Sequence, residues 1–512
     1  MTMAIKFFPD TYVDSVVQLR GMRAMREIDG IEWASAAMAT PANVDALRAE
    51  GVEQGRVAHA GSNDFFLVVR ATTDSIAAEA LAAGEAAVMS SGHPHDGGGQ
   101  PDAPRSLRDA MVAQPLSNVA VISVPGDYAA LAAHQALSSD LHVLLFSDNV
   151  PLDKEVALKD YALSRGRLVM GPGAGTAMFG GVGLGFANAV MPGRVGVVAA
   201  AGTGAQEAMA LLDRWGVGVR HVIGVGGRDM SSEVDGRMAR SAISALRDDP
   251  GTDVILFISK PPAPDVAAAV LATAGETPLV AALIGLDPDF AAPAGVVLAD
   301  TLEAGVTATL GLLGLTAPDT TATLGASVDE VRARLAPGRW LIRGLFSGGT
   351  LCYESLVILG RTVGEIHSNI AINKEWGLPA PDRSHQCLDL GEEEYTRGRP
   401  HPMIDSEARI ELLLEQAADP HVAVIILDVV LGYGANADPA GILAPACESV
   451  MAGGGPQVVA YVLGTDQDPQ SYTAQRDRLV QAGCIVTETA ARASLVAAAI
   501  ATGDPSLVRT RL

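Results

Sequence analysis

The residues best suited to chemistry lie in two glycine-rich turns within residues 195–236. An apolar run over 195–201 is typical of a buried parallel strand, and Gly202-Thr203-Gly204 ends it before a helical pattern over 206–215. Backbone N–H groups at a helix start attract phosphate or carboxylate, and glycine lets the ligand approach the backbone. The pattern predicts an anion site. Two ordinary strand-to-helix turns are the structural alternative.

A second apolar run, 221–225, ends in the other turn, where Gly226 and Gly227 are followed by Arg228 and Asp229. We predict that the two glycines add backbone N–H groups to the anion site and that Arg228 contacts the anion while Asp229 orients it. The alternative is a solvated Arg–Asp pair. Lys260 follows the strand pattern of 253–259 and either supplies a further positive charge or simply ends that strand.

Two further glycine turns occur in the last third of the chain. Residues 339–359 read as strand, glycine turn (347–350) and helix, which is the architecture of the first turn repeated. The apolar run 422–431 ends in Gly432-Tyr433-Gly434. We predict that these last three residues bind phosphate from the side opposite to 202–204.

Residues 397–405 contain two arginines, a histidine and an aspartate, and two prolines at 400 and 402 stiffen the segment. Arg399 and Arg397 suit carboxylate or phosphate recognition, and His401 suits proton transfer near neutral pH. A structured surface loop, with Asp405 capping a helix that begins near Ser406, explains the same residues without chemistry.

The elements that must position these residues are those of a parallel α/β protein. The 512-residue chain has 48% hydrophobic but only 4% aromatic residues, so its interior must consist of small aliphatic side chains. Its length predicts about three domains. Strands alternate with helices from Asn118 onward, and residues 1–90 also mix the two patterns.

Composition also excludes several classes of function. The net charge of −23 argues against nucleic acid and against an anionic membrane surface. No apolar stretch is long enough to span a membrane, and the N-terminus lacks a signal sequence, so we expect a cytoplasmic protein. Four scattered cysteines indicate buried thiols and no metal site. His93 and His95 stand in a glycine-rich segment that reads as a linker and not as a metal site.

Specific motifs resemble the FdrA family, which is similar to succinyl-CoA synthetase. They include GTGAQE, GGRD, SKPPA, SGGTL, LDLG and GRPHPMID. The resemblance covers essentially the whole chain. It implies a Rossmann-type, CoA-binding-like domain over 1–190 with a loop insertion near 90–117. Two flavodoxin-like, ligase-like parallel-sheet domains follow. The one over 191–326 is of the α-subunit type, and the one over 327–512 is of the type found at the C-terminus of the β subunit.

The chain departs from the synthetases at two positions that matter for catalysis. No histidine occurs between Gly285 and Leu335, where the synthetases carry the histidine that is phosphorylated. The segment 7–16 has no glycine where the synthetases carry a phosphate-binding loop, so CoA binding is doubtful although possible. No cofactor is certain.

The family resemblance implies a subunit of an oxamate carbamoyltransferase in allantoin catabolism. Such a subunit would transfer a carbamoyl group between oxamate (or a related amide) and phosphate, with carbamoyl phosphate as substrate or product. It would work in a hetero-oligomer with other carbamoyltransferase subunits, and a homodimer is also possible. An acyl-CoA synthetase subunit that uses CoA is the first alternative, and a non-catalytic scaffold subunit is the second.

Overall fold

The computed structural model describes residues 2–11, 13, 15–52, 61, 64–89, 104–286, 289–396 and 400–512. The chain forms two compact units. Residues 1–103 together with 392–404 form the first unit, and residues 104–391 together with 405–512 form the second.

The first unit is built on a three-stranded antiparallel sheet in the order β1-β3-β2. Its elements are β1 (Thr2–Phe8), α1 (Ser15–Arg26), β2 (Ile31–Met38), α2 (Pro41–Ala49), β3 (Phe65–Ala71) and α3 (Asp74–Met89). Side chains alternate across the central strand β3, as the period of two requires. Phe65 and Leu67 pack in one hydrophobic cluster with residues of α1 and α3, and Phe66 packs in another with residues of α2.

This architecture corrects the prediction of one Rossmann-type domain over residues 1–190. The chain divides at residue 104, and the described part of the first unit has an antiparallel sheet. The individual strands were nevertheless predictable, because 32–38 and 65–69 fall within β2 and β3. Local patterns reveal a strand, but its pairing partner and direction depend on distant residues.

The second unit contains three sheets. Its elements up to β13 are α4 (Leu107–Ala113), β4 (Val119–Ile122), α5 (Gly126–Ser138), β5 (His142–Leu145), α6 (Leu152–Ser164), β6 (Val169–Met170), β7 (Thr176–Phe179), β8 (Val182–Gly185), β9 (Pro192–Ala199), α7 (Gly202–Arg214), β10 (Val219–Gly224), α8 (Arg237–Asp248), β11 (Val254–Ser259), α9 (Pro264–Leu271), β12 (Leu279–Leu283) and β13 (Val296–Ala299).

The remaining elements are α10 (Leu302–Leu312), α11 (Leu324–Arg334), β14 (Leu341–Phe346), α12 (Gly349–Thr362), β15 (Ile366–His367), β16 (His385–Asp389), α13 (Glu393–Thr396, in the first unit), α14 (Glu407–Ala417), β17 (Val422–Val430), α15 (Pro439–Met451), β18 (Gln457–Leu463), α16 (Tyr472–Gln481), β19 (Ile485–Thr487) and α17 (Ala490–Thr502). Short 3-10 helices occupy 272–274, 374–376, 452–454 and 505–509.

The two larger sheets share one strand order, which confirms the predicted flavodoxin-like domains. Five parallel strands run β13-β12-β11-β9-β10 in one sheet, and β19-β18-β17-β14-β16 run in the same relative order in the other. A hairpin of β7 and β8 extends the first sheet. The predicted domain boundary at residue 190 would therefore separate this hairpin from the other strands of its sheet. Strands β4, β5 and β6 form a separate three-stranded parallel sheet.

The strand order fixes where a ligand site belongs. In each large sheet the first strand, β9 or β14, lies where the chain reverses its direction across the sheet, and α7 or α12 follows it. Ligands of such sheets bind beyond the carboxyl ends of the strands at this reversal. The starts of α7 and α12 are therefore the places to look for a site.

Small aliphatic residues fill the interior of these sheets, as the composition predicted. Strands β11, β14, β17 and β18 are buried along their full length. All four cysteines are buried and free of disulfides, which confirms the predicted thiols. Within the described ranges, no helix has the length and apolarity needed to cross a membrane.

Candidate functional site

The start of α7 presents open backbone donors, as the sequence predicted. Its N-cap residue is Ala201, which has no polar side chain with which to cap the helix. Among the described residues, the N–H groups of Gly202, Thr203 and Gly204 have no hydrogen-bond acceptor. Gly202 is exposed and Thr203 is half-buried, so a ligand from solvent can reach them. This first turn has the properties of an anion site.

The start of α12 meets the start of α7 directly. The backbone N–H of Thr350 donates to Oγ1 of Thr203 over 3.3 Å. A Cβ added at Gly348 would lie 2.9 Å from Cγ2 of Thr203, and one added at Gly204 would lie 3.0 Å from Cγ2 of Thr350. Glycine at 348 and 204 therefore allows the two helix starts to touch.

The first amides of the α12 turn are occupied by a buried carboxylate. Asp428 on β17 accepts hydrogen bonds from the N–H and the hydroxyl of Ser347 and from the N–H of Gly348, at 2.7–2.9 Å. Arg409 on α14 is buried beside it and donates to Oδ1 of Asp428 over 2.9 Å. Because this carboxylate takes the place that an anion would take, the open donors of the site come from α7.

Two backbone donors of the turn 432–434 are satisfied inside the fold, which corrects the prediction that this turn binds phosphate together with 202–204. The N–H of Tyr433 donates to the carbonyl of Ala187 over 2.8 Å, and the N–H of Gly432 donates to Gln470. The buried amide of Asn188 then links Leu431 to Gln206 of α7. Side chains thus fill the space that the prediction reserved for phosphate, and Gly434 packs against Phe186.

The turn 226–229 is likewise closed by a side chain. The carboxylate of Asp229, fully buried, accepts the N–H groups of Met238 and Ala239 at the start of α8. It also forms an ion pair of 2.7 Å with the buried Lys159 of α6. Gly226 packs against the turn at 171–172, and Gly227 is exposed. The start of α8 is therefore satisfied internally, in contrast to the start of α7.

Arg228 does not form the predicted pair with Asp229. Its guanidinium donates to the carbonyl of Val150 and forms an ion pair with Glu155 of α6, both over 2.8 Å. Because Glu155 also binds Lys159, these charges hold the β10–α8 turn against α6. This pairing corrects the predicted orientation of Arg228 by Asp229, while the predicted contact of Arg228 with an anion stays a prediction.

Lys260 lies next to α12. Its ammonium group stands 5.6 Å from the ring centroid of Tyr353, three residues after Thr350. The side chain is half-buried, and Gly285 packs against the same tyrosine. This geometry is compatible with the predicted charge support for an anion at the helix starts.

The predicted loop 397–405 belongs partly to the first unit. His401 is half-buried there, and its Nδ1 accepts the N–H of Met403 over 3.2 Å. Arg397 and Arg399 lie outside the described residues. Asp405 accepts the N–H of Glu407, so it caps α14 as the structural alternative required. The catalytic roles of His401 and Arg399 stay predictions.

Two buried glutamates behind the helix starts were missed by the sequence analysis. Burial raises the pKa of Glu207 on α7 to about 7, although the neighbouring Tyr461 hydroxyl acts in the opposite direction. Burial and then the charge of Glu207 raise the pKa of Glu354 on α12 to about 8. The signal was present, because a Gly-Thr pair precedes each glutamate at the same spacing.

Comparisons with known proteins agree with this architecture. A CoA-ligase family model matches residues 345–500. The chain is 38% identical over 509 residues to the uncharacterized protein YahF of Escherichia coli (strain K12), covering 97% of this chain and 98% of that protein. It is 28% identical over 146 residues to a succinate–CoA ligase [ADP-forming] subunit alpha of Methanothermobacter thermautotrophicus, which is 28% of this chain and 48% of the relative.

These matches define a protein of the CoA-ligase class. More specifically, the chain belongs to the FdrA-like family of succinyl-CoA-synthetase-like proteins. Among solved structures, ATP citrate lyase from Methanothrix soehngenii in complex with citrate and coenzyme A aligns with a TM-score of 0.31 and 20% identity. That alignment covers 43% of this chain and 39% of the lyase.

The first unit matches a different family, the heavy metal-associated domain of AllF, over residues 1–104. Thiolates are the ligands that soft heavy metals require, and the first cysteine of this chain is Cys352. The described residues also contain no group of three His, Cys, Asp or Glu side chains able to hold a metal. The described residues of this unit therefore do not fit a heavy-metal site, and 1–104 contributes no thiolate to one.

Proposed function

We propose that this protein transfers an acyl group, specifically a carbamoyl group, to or from a phosphate held at the start of α7. The observation that carries the proposal is the contact of the two helix starts. Thr350 donates to Thr203, which orders a first turn whose N–H groups are open to an anion. The space beside Gly202 is open, since even an added Cβ would have no neighbour within 4 Å. A ligand can therefore approach this turn.

The chemistry is an exchange of one bond for another at the carbamoyl carbon. A phosphate oxygen attacks this carbon in an N-carbamoylated oxamate, a C–O bond forms, and the C–N bond breaks. The oxamate nitrogen takes up one proton, and the products are carbamoyl phosphate and oxamate. Positioning and electrostatic stabilisation are sufficient for such a transfer.

The lack of a histidine at the synthetases' phosphorylation position favours binding of free phosphate over phosphorylation of the protein. No histidine occurs between Gly285 and Leu335, where the synthetases carry their phosphohistidine, and Lys260 stands near α12 as a fixed positive charge. The arrangement therefore favours a phosphoryl ligand that is held by backbone donors and is not bonded to the protein.

Acyl-CoA formation is the second candidate, and the named relatives favour it. The matches to CoA-ligase and to a succinate–CoA ligase subunit are specific. Residues 7–16 lie in the separate antiparallel unit of 1–103, so their lack of glycine no longer bears on CoA binding by the parallel sheets of the second unit. We derive no catalytic step through CoA.

Binding of inorganic phosphate to the full-length protein tests the site, by isothermal titration calorimetry. Gly348→Ala places a methyl group 2.9 Å from Thr203 and forces the helix starts apart, so we expect at least about tenfold weaker binding. Gly360→Ala is the matched control on α12, because its Cβ would have no neighbour within 4 Å. Equal binding by both variants would overturn the site.

The two candidate reactions are separated by their products. Carbamoyl phosphate should form from N-carbamoylated oxamate and phosphate, with the chain alone or with its partner subunits. The Gly348→Ala variant should lose this product, and Gly360→Ala should retain it. Formation of an acyl-CoA, together with saturable CoA binding, would instead establish the second candidate.

A further inference from the structure

The two helices that meet at the anion site share a sequence pattern. Thr203 on α7 and Thr350 on α12 each follow a glycine, and Glu207 and Glu354 come four residues later. Residues four apart lie on the same face of a helix, one turn from each other. Each glutamate therefore lies one turn behind the threonine through which the helices touch.

Each glutamate also reaches the last helix of the opposite flavodoxin-like domain. Oε1 of Glu354 accepts the N–H of Leu302, at the start of α10, over 2.6 Å. Glu207 faces the N–H of Ala490, at the start of α17. The helices α10 and α17 follow the equivalent strands β13 and β19. The two carboxyl groups thus occupy equivalent positions about an approximate two-fold relation between the domains.

The surroundings of the two carboxyls disfavour negative charge. Both residues are buried, and neither oxygen of Glu207 nor the hydroxyl of Tyr461 forms a hydrogen bond of normal geometry within the described residues. The titratable and charged groups that face Glu207 are Tyr461, Arg214, Glu303 and Glu354, and those that face Glu354 are Glu207, Glu303 and Asp300. Arg492 neutralises Glu303 through a 2.6 Å ion pair.

We propose that Glu207 and Glu354 are positioning residues of the anion site, which must carry their protons for the anion to bind, so that their ionisation releases it. The inference rests on the proposed function and adds a regulation to the same site. Ionisation sends one proton from each carboxyl to solvent and leaves a carboxylate one helical turn behind the open N–H groups. A negative charge at that position offsets the positive end of the helix and repels the anion.

The pH window follows from the direction of the shifts. A carboxyl whose pKa is raised is neutral below that value and becomes charged as the pH rises through it. Burial raises the pKa of Glu207 to about 7 and that of Glu354 to about 8. Anion affinity should therefore be highest below this range and should fall across it.

Sulfate is the probe, because it stays a dianion over the whole range and so adds no titration of its own. Its affinity for the full-length protein is measured by calorimetry between about pH 6 and about pH 9, where we expect a fall of roughly tenfold. The Glu207→Gln/Glu354→Gln double variant keeps the shape and the acceptor oxygens and should bind equally at both ends of the range. Glu330→Gln, an exposed change on α11, should behave like the wild type.

Proton uptake on sulfate binding is a measurement that would show no change if the two glutamates had a purely structural role. At about pH 8, sulfate binding should draw protons into the wild-type protein, which is measured by repeating the titration in buffers of different ionisation enthalpy. The double variant should take up none. If the double variant does not fold, uptake by the wild type and by each single variant decides the question.

The outcomes separate this inference from the proposed function. A pH-independent sulfate affinity of the wild type, or an unchanged pH dependence in the double variant, overturns the role of the glutamates while the anion site stands. Absence of sulfate binding at about pH 6 overturns both. Binding that survives Gly348→Ala unchanged would place the sulfate elsewhere and would also overturn both.

Discussion

At the scale of residues, the role of a charged side chain in this protein depends on whether it is paired inside the fold. Asp428 and Asp229 both fill helix starts that an external anion would otherwise occupy. The start of α7 receives no such carboxylate among the described residues, and its N-cap residue Ala201 has no polar side chain, so its donors stay open. The difference between a structural turn and a candidate site is thus one carboxylate, contributed by β17 for α12 and by the preceding turn for α8.

The Asp428–Arg409 pair gives a prediction at this scale. Asp428→Asn leaves the guanidinium of the buried Arg409 without its countercharge, which should cost about 3–5 kcal/mol in the free energy of unfolding. Urea denaturation measures the cost. Asp253→Asn breaks an exposed pair with Arg194 in the same unit and should cost at most about 1 kcal/mol. Similar losses in the two variants would show that the buried pair contributes no more than a surface one.

At the scale of elements, close packing of small residues decides how near two elements lie. Gly204 and Gly348 allow α7 and α12 to touch, and Gly305 allows α10 to lie on β12. The sequence predicted such packing in general, from the low aromatic content and the many small side chains. It did not predict which glycine serves a helix contact, because that depends on what the fold brings opposite each one.

Two glycines of α10 provide a matched pair of variants. A Cβ at Gly305 would lie 2.8 Å from Cβ of Ala282 on β12, so Gly305→Ala should destabilise the protein by about 1–3 kcal/mol through overpacking. Gly311 has open space around it, and Gly311→Ala should be neutral or stabilising by up to about 1 kcal/mol through helix propensity. Thermal or urea unfolding compares them. A loss of stability at Gly311 equal to that at Gly305 would contradict the packing argument.

At the scale of the whole molecule, the chain combines two units that match different families. The first matches the heavy metal-associated domain of AllF, while the CoA-ligase match lies in the second. The first unit has no cysteine, so we expect it to bind no soft heavy metal.

Metal titration tests this expectation at the same scale. The full-length protein should take up no stoichiometric copper(I) or zinc in competition with a chromophoric chelator, because residues 1–104 offer no thiolate. Its unfolding temperature should also be unchanged by either metal. One tightly bound equivalent would contradict the expectation, and an Ala substitution of His93 and His95 would then show whether these two residues hold it.

The sequence by itself determined the parallel α/β class, the flavodoxin-like domains, the glycine turn at 202–204 and the absence of a phosphohistidine. The α/β class and the glycine turn follow from local periodicity, whereas the other two follow from the resemblance to the synthetases. Tertiary structure alone decided that 202–204 meets 348–350, that the donors of Gly432 and Tyr433 are satisfied internally, that Arg228 binds Glu155, and that residues 1–103 belong to their own antiparallel unit. Those outcomes depend on contacts between residues far apart in the chain, and no local pattern specifies which partner a turn, a charge or a strand edge will find.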